Sequence, residues 1–168
     1  MDQQKCPHLT PNTGDWHVWN VGILIGNLQS LEFIARMALV AMTGSQSGVD
    51  LHVLRPGQLV PEDPMTNYDQ LGAVLGRFNA LASSSGRLID VQRIVDLRDQ
   101  LAHGRTVAKE PAFPLTLLKF ERPVRGQVQV SARIEMTEAW FLAQRKLVHE
   151  AIQMVGDELS GWRLERLR

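Results

Sequence analysis

From Asp15 to Thr43 the apolar residues recur at threes and fours, with Leu24, Leu28, Leu31, Ala35, Ala38 and Met42 on one stripe. That spacing predicts a single helix, capped by Asp15 and ended by Gly44. A stripe of this length has to be covered by other elements, so the fold is set to be mainly α. Gly22 and Gly26 lie four apart on another face, where they permit close crossing by a second helix; close approach of the backbone to a ligand is the functional alternative. The segment Val21 to Met42 is also apolar enough to raise the question of a membrane span. It contains Asn27, Gln29, Glu32 and Arg36, and ionised groups at that depth are costly in lipid. Glu32 and Arg36 are placed as an i,i+4 ion pair of a water-soluble helix, so the expected element is a core helix and no membrane partner is expected.

The remaining chain supplies the other layers. Residues 1–14 read as a flexible N-terminal arm and 15–168 as a single helical domain, long enough to bury a core without staples. Residues 44–65 form a long connection with Pro56, Gly57, Pro61 and Pro64, and Asp50 to Leu54 reads as a short strand within it. Thr66 is expected to open a second helix, with Asp69 at capping-box distance and Leu71, Val74, Leu75, Phe78, Leu81 and Ala82 on its apolar face. After the turn at Ser83 to Gly86, a third helix runs from Leu88 to Ala102 and stops at Gly104. Phe113 to Arg122 is extended, and Val128, Val130, Ala132, Ile134 and Met136 alternate with polar residues. Pro123-Val124-Arg125-Gly126 joins them, which predicts an antiparallel hairpin over about residues 113–136. Thr137 and Glu138 cap the last helix, whose stripe is Phe141, Val148, Ile152, Val155 and Leu159, with Trp140, Ala143, Leu147 and Met154 on a second apolar face. The predicted architecture is four helices with an inserted hairpin.

Charge and cysteine content narrow the function classes. Lys plus Arg and Asp plus Glu each number 18, so bulk charge does not favour coating of nucleic acid, although a local basic site remains open. A single cysteine, Cys6, rules out an internal disulfide and suits a reducing compartment. Residues 1–15 carry no apolar core of a signal peptide, so the expected location is the cytoplasm.

The third helix holds the most informative chemistry. Arg98 falls within roughly 60° of Val91, Ile94, Val95, Leu101 and Ala102 on an ideal helix, and a guanidinium placed at such a seam needs a partner or a polar cavity. Five residues later comes His103, in Leu97-Arg98-Asp99-Gln100-Leu101-Ala102-His103-Gly104. Arg98, Asp99 and His103 match the pattern Arg-(Asn/Asp/His)-x-x-x-His, and with long helices before and after it the chain resembles the HEPN superfamily of helical domains. The hairpin after the motif departs from a pure helical bundle.

The resemblance implies metal-independent cleavage of single-stranded RNA, without a cofactor, at a composite site formed across a homodimer, as in toxin or defence proteins that have an antitoxin partner. It assigns His103 as general acid or base near the ribose 2′-hydroxyl or the leaving 5′-oxygen, work that suits a side chain whose ordinary pKa is near about 6.5. Arg98 then holds the scissile phosphate. Asp99, one turn before His103, is placed to bond the imidazole and fix its tautomer. Arg105 is the expected substrate-binding cation. Residues five apart on an ideal helix point about 140° apart, so Arg98 and His103 diverge within one chain. A two-fold dimer brings two copies of the motif together and removes that difficulty, which places the face around Arg98 near a subunit interface.

A plainer reading stands beside this one. Asp99 and His103 form an i,i+4 pair at a helix end, Arg98 pairs with Glu32, and the chain is a non-catalytic helical dimer that binds a protein or a small anionic ligand. Other patterns carry less. Cys6-Pro7-His8 offers two metal ligands with no second pair, so no metal site is expected. His17, His52 and His149 are scattered and read as ordinary core or surface residues, and Trp16 and Trp19 as packing residues. Trp162 to Arg168 reads as a solvated, mildly basic helix end.

Overall fold

The structure is a computed structural model that describes residues 9–11, 13–45, 49–82, 86–109 and 112–165. The Cys6-Pro7-His8 pair, the arm through residue 8 and the side chains from Trp162 onward lie outside the described residues. Four helices and three strands follow in the order α1 (Gly14–Thr43), α2 (Leu71–Leu81), α3 (Val91–His103), β1 (Arg105–Lys109), β2 (Ala112–Phe120), β3 (Val130–Glu135) and α4 (Glu138–Glu165). The chain divides into two compact units, Met1–Asn27 with Asp96–Leu147 and Leu28–Val95 with Val148–Arg168.

The first unit holds the sheet. Its strands are ordered β1-β2-β3 and both pairings are antiparallel, with Arg105 opposite Leu118 and Thr116 opposite Glu135. The predicted hairpin is present as β2 and β3, and β1 adds a third strand that periodicity did not reveal. Five residues beginning just after Gly104 are too few to display an alternation. The turn closes one residue later than expected, where Val124 bridges Gln127 around Arg125 and Gly126. Both central residues have positive φ, 51° and 77°, as a two-residue hairpin turn of type I′ requires. The inward alternation starts only at Ala132, because Val128 and Val130 are half exposed, at 52% and 51%. Trp16, Leu24, Leu117, Met136 and Phe141 form the buried cluster of this unit, with Leu101, Leu115, Ile134 and Trp140 packed against it. Trp16 meets Phe141 edge to face at 5.3 Å, the favoured aromatic geometry.

In the second unit Leu28, Leu31, Ala35, Ala38 and Leu39 of α1 are buried, as are Leu71, Val74, Leu75 and Phe78 of α2 and Val148, Ala151 and Val155 of α4. Gly72 lies against Val95, and a Cβ there would stand 3.1 Å from its methyl group. Asn79 clamps the approach to α3 by donating to the Ile89 carbonyl at 2.8 Å and accepting its N–H at 3.0 Å.

Several element boundaries differ from expectation for local reasons. Thr13, not Asp15, caps α1: its hydroxyl accepts the Trp16 N–H at 3.3 Å, and Asp15 sits in the first turn. Thr66 does not open α2. Its N–H is bound by Asp63 at 3.0 Å and its hydroxyl donates to the Pro61 carbonyl at 2.7 Å, so it closes a turn and α2 begins at Leu71. Residues 51–53 form a 3₁₀ turn instead of a strand, because the Asp50 carboxylate accepts the His52 N–H at 3.0 Å. Thr137 caps α4 through the Trp140 N–H at 3.1 Å, as predicted.

By length and hydropathy α1 is able to cross a membrane. Within it, Leu24, Leu31, Ala35 and Ala38 are fully buried, and Arg36 is tied to five oxygen atoms, the use a core helix makes of an apolar stripe.

Candidate functional site

Helix α3 presents the motif. Its buried residues are Ile94 and Leu97, and Leu101 packs on the aromatic cluster. Arg98 lies at the margin of that stripe instead of at its centre, with its side chain 38% exposed. Its partner is Asp99, whose Oδ1 accepts from Nη1 at 2.8 Å. Asp99 is therefore turned toward Arg98, and no hydrogen bond joins it to His103 among the described residues. Glu32, named from the sequence as a partner for Arg98, serves its own helix neighbour Arg36. Glu32 Oε1 accepts from Arg36 at 3.1 and 2.8 Å.

His103 is the last residue of α3 and is exposed, with no partner for its imidazole among the described residues. Gly104 then turns the chain directly into β1. Its N–H donates to the Gln100 carbonyl at 2.8 Å, and a Cβ would collide with that carbonyl and stand 3.0 Å from Leu117 Cγ. Glycine is required here by close approach, not by backbone dihedral. This packing fixes where His103 ends and Arg105 starts. Arg105, the first residue of β1, is exposed and lays its guanidinium over Phe120 at 4.9 Å, a cation–π contact. The sequence-predicted residues thus occupy one continuous stretch, from the Arg98–Asp99 pair through the free imidazole to a stacked arginine.

Two other arginines are drawn inward, Arg36 buried and Arg145 half-buried. Arg36 is 9% exposed and satisfied on every side: besides Glu32, its guanidinium donates to the Pro64 carbonyl at 2.8 Å, to Asn67 Oδ1 at 2.7 Å, and to the Asp69 carbonyl. This arginine pins the long connection to α1 and is structural. Arg145 is less well provided. It donates to Asn20 Oδ1 and stacks over Trp19 at 4.9 Å, while its Nε is buried with no partner among the described residues. Burial favours its neutral form and lowers its pKa from the ordinary arginine value. Its position was visible in the sequence as the missing member of the α4 stripe, between Phe141 and Val148.

His17 is the buried titratable group of the first unit, at 1% exposure. Phe113 stacks on it at 5.5 Å and Trp16 meets it edge-on at 4.9 Å. Its Nε2 accepts the Leu115 N–H at 3.4 Å, which puts the proton of the neutral ring on Nδ1, a buried donor without a partner among the described residues. Burial lowers its pKa below the ordinary value. Of the three histidines read as ordinary core or surface residues, His17 is the one placed in the core. Among the described residues no group of three or more His, Cys, Asp or Glu gathers to hold a metal ion.

Comparison with family models, with curated proteins and with solved structures returns no match to this chain.

Proposed function

We propose that this chain is an HEPN-like ribonuclease that cleaves single-stranded RNA without a metal ion, at a site completed by a second copy of itself. The observation that carries the reading is the exposed imidazole of His103 at the end of α3, without a partner among the described residues, on the same helix as an Arg98–Asp99 pair about a third exposed. Arg98 uses one N–H on Asp99, and a guanidinium has five. The remaining donors are available for a phosphate, and Asp99 limits the rotamers of the side chain that offers them.

In the reaction, the ribose 2′-hydroxyl attacks the adjacent phosphorus and the 5′-oxygen of the next nucleotide leaves. One imidazole accepts the 2′-hydroxyl proton, and a protonated imidazole gives one to the leaving oxygen. Two histidines are needed at once for that exchange, and a two-fold assembly supplies His103 twice. Arg98 balances the charge that builds on the phosphoryl oxygens, and Arg105 lies two residues beyond His103 to hold the flanking backbone. Toxin or defence action in a prokaryotic cytoplasm, with an antitoxin protein as partner, is the setting this chemistry suits.

The Arg98–Asp99 contact favours one competitor, a non-catalytic helical dimer that holds a protein or a small anion. Incubation of the purified protein with single-stranded RNA in EDTA separates the two. Cleavage is expected, and a 2′-deoxy nucleotide at the scissile position should block it. RNA left intact, or cut equally well at the deoxy position, contradicts the nuclease reading.

A further inference from the structure

The second unit carries an open hollow of about 420 Å³, within the range of small-molecule sites, about 300–1,000 Å³. Its walls are apolar: Phe33, Met37 and Ala41 from α1, Leu51 from the 3₁₀ turn, and Met65 from the long connection. Phe33 and Leu51 are 48% and 38% exposed, so large apolar surfaces face the space instead of closing it. The two methionine walls are flexible and polarizable, which lets such a site adjust to a ring.

The rim is polar at one place, where Asp50 and His52 line the hollow. Asp50 is held in orientation because its Oδ1 accepts the His52 backbone N–H at 3.0 Å. Its second carboxylate oxygen has no partner among the described residues. An apolar chamber with one fixed carboxylate at its edge is complementary to a molecule with an apolar body and a cationic head. We propose that this hollow binds a small aromatic or branched aliphatic amine, with the body between Phe33, Met37 and Met65 and the ammonium on Asp50. This site is separate from the α3 motif and does not depend on the nuclease reading.

Three probes with one ring system test it: 1-naphthylmethylamine, 1-naphthalenemethanol and 1-naphthoic acid, titrated calorimetrically into the full chain. The amine should bind saturably at one site, about twofold to fivefold more tightly than the alcohol, as expected of a rim-exposed ion pair. The acid should bind least. Asp50→Asn should bring the amine down to the alcohol and leave the alcohol unchanged. Phe33→Ala should weaken both, and because Phe33 is half exposed this variant is expected to fold. Ala41→Trp, which fills the chamber, should abolish both. Absence of saturable binding, equal binding of amine and acid, or binding indifferent to Phe33→Ala and Ala41→Trp would overturn the proposal. So would sedimentation showing that the amine dissociates a dimer, since a second copy would then be the occupant.

Discussion

Arg98 donates to the carboxylate of its own sequence neighbour, Asp99, at 2.8 Å, with both side chains about a third exposed at 38% and 32%. A pair this open contributes little to folding, up to about 1 kcal/mol. Its consequence lies in what it leaves available. Asp99→Asn removes the charge that competes with phosphate, so RNA affinity measured by fluorescence anisotropy should rise while the melting temperature barely moves. Arg98→Ala should lower cleavage by about 10²- to 10³-fold, the usual loss when a charge-stabilising donor is removed. A large loss of thermal stability in Arg98→Ala would show instead that this arginine is structural.

Arg36 is the opposite case. It is 9% exposed and joins Glu32 to the backbone of Pro64 and Asp69 and to Asn67. Arg36→Met keeps the apolar stem and strands those acceptors. The expected loss is about 3–5 kcal/mol, read from the shift of a denaturant unfolding curve. A loss below about 1 kcal/mol would mean that water replaces the guanidinium without cost.

Gly104 sets the junction between His103 and Arg105. Gly104→Ala puts a methyl group against the Gln100 carbonyl and 3.0 Å from Leu117 Cγ. The end of α3 must shift to accommodate it, at a cost of about 1–3 kcal/mol. Cleavage should fall by more than the unfolded fraction explains, because the shift moves His103. Wild-type cleavage from fully folded Gly104→Ala would show that the junction does not position the imidazole.

His17 makes stability depend on pH. Burial keeps its folded-state pKa below the ordinary 6.5, so between these two values the unfolded chain takes up a proton that the folded chain refuses. The stabilisation is present above pH 6.5 and is lost as pH falls through the folded-state value. Its slope reaches at most about 1.4 kcal/mol per pH unit. His17→Gln offers Leu115 an amide oxygen and cannot titrate. Unfolding free energies measured from pH 7.5 down to 5 should therefore fall less steeply for this variant. Parallel curves would assign the acid sensitivity to other groups.

Much of the fold was legible because its signals are long. The α1 stripe, the α4 stripe and the Val128 to Met136 alternation each span enough residues for a period to emerge, and α1, α4 and β3 follow them, although Val128 and Val130 are half exposed. Short features were set by tertiary competition instead. Thr66 has the chemistry of a cap, but Asp63 and Pro61 engage both of its polar groups first. Strand β1 owes its existence to pairing with β2, from Arg105 opposite Leu118 to Val107 opposite Thr116. The candidate site was legible in its members and not in its contacts. Arg98 drew notice as a cation in an apolar stripe, yet the buried arginine is Arg36, recognisable beforehand only as half of an i,i+4 pair. The rotamer that turns Asp99 toward Arg98 and away from His103 is not encoded in spacing. Asn20 and Arg145 sit on helix faces that both read as apolar, and their meeting requires knowing which helices face each other.

Cleavage of single-stranded RNA by His103→Ala, in EDTA and beside the wild type, tests the central claim most directly. Because His103 is exposed and without a partner among the described residues, the variant should fold and assemble as the wild type does. The account predicts cleavage by the wild type and none by the variant, with the same dimer mass in sedimentation. Equal cleavage by both proteins would contradict it.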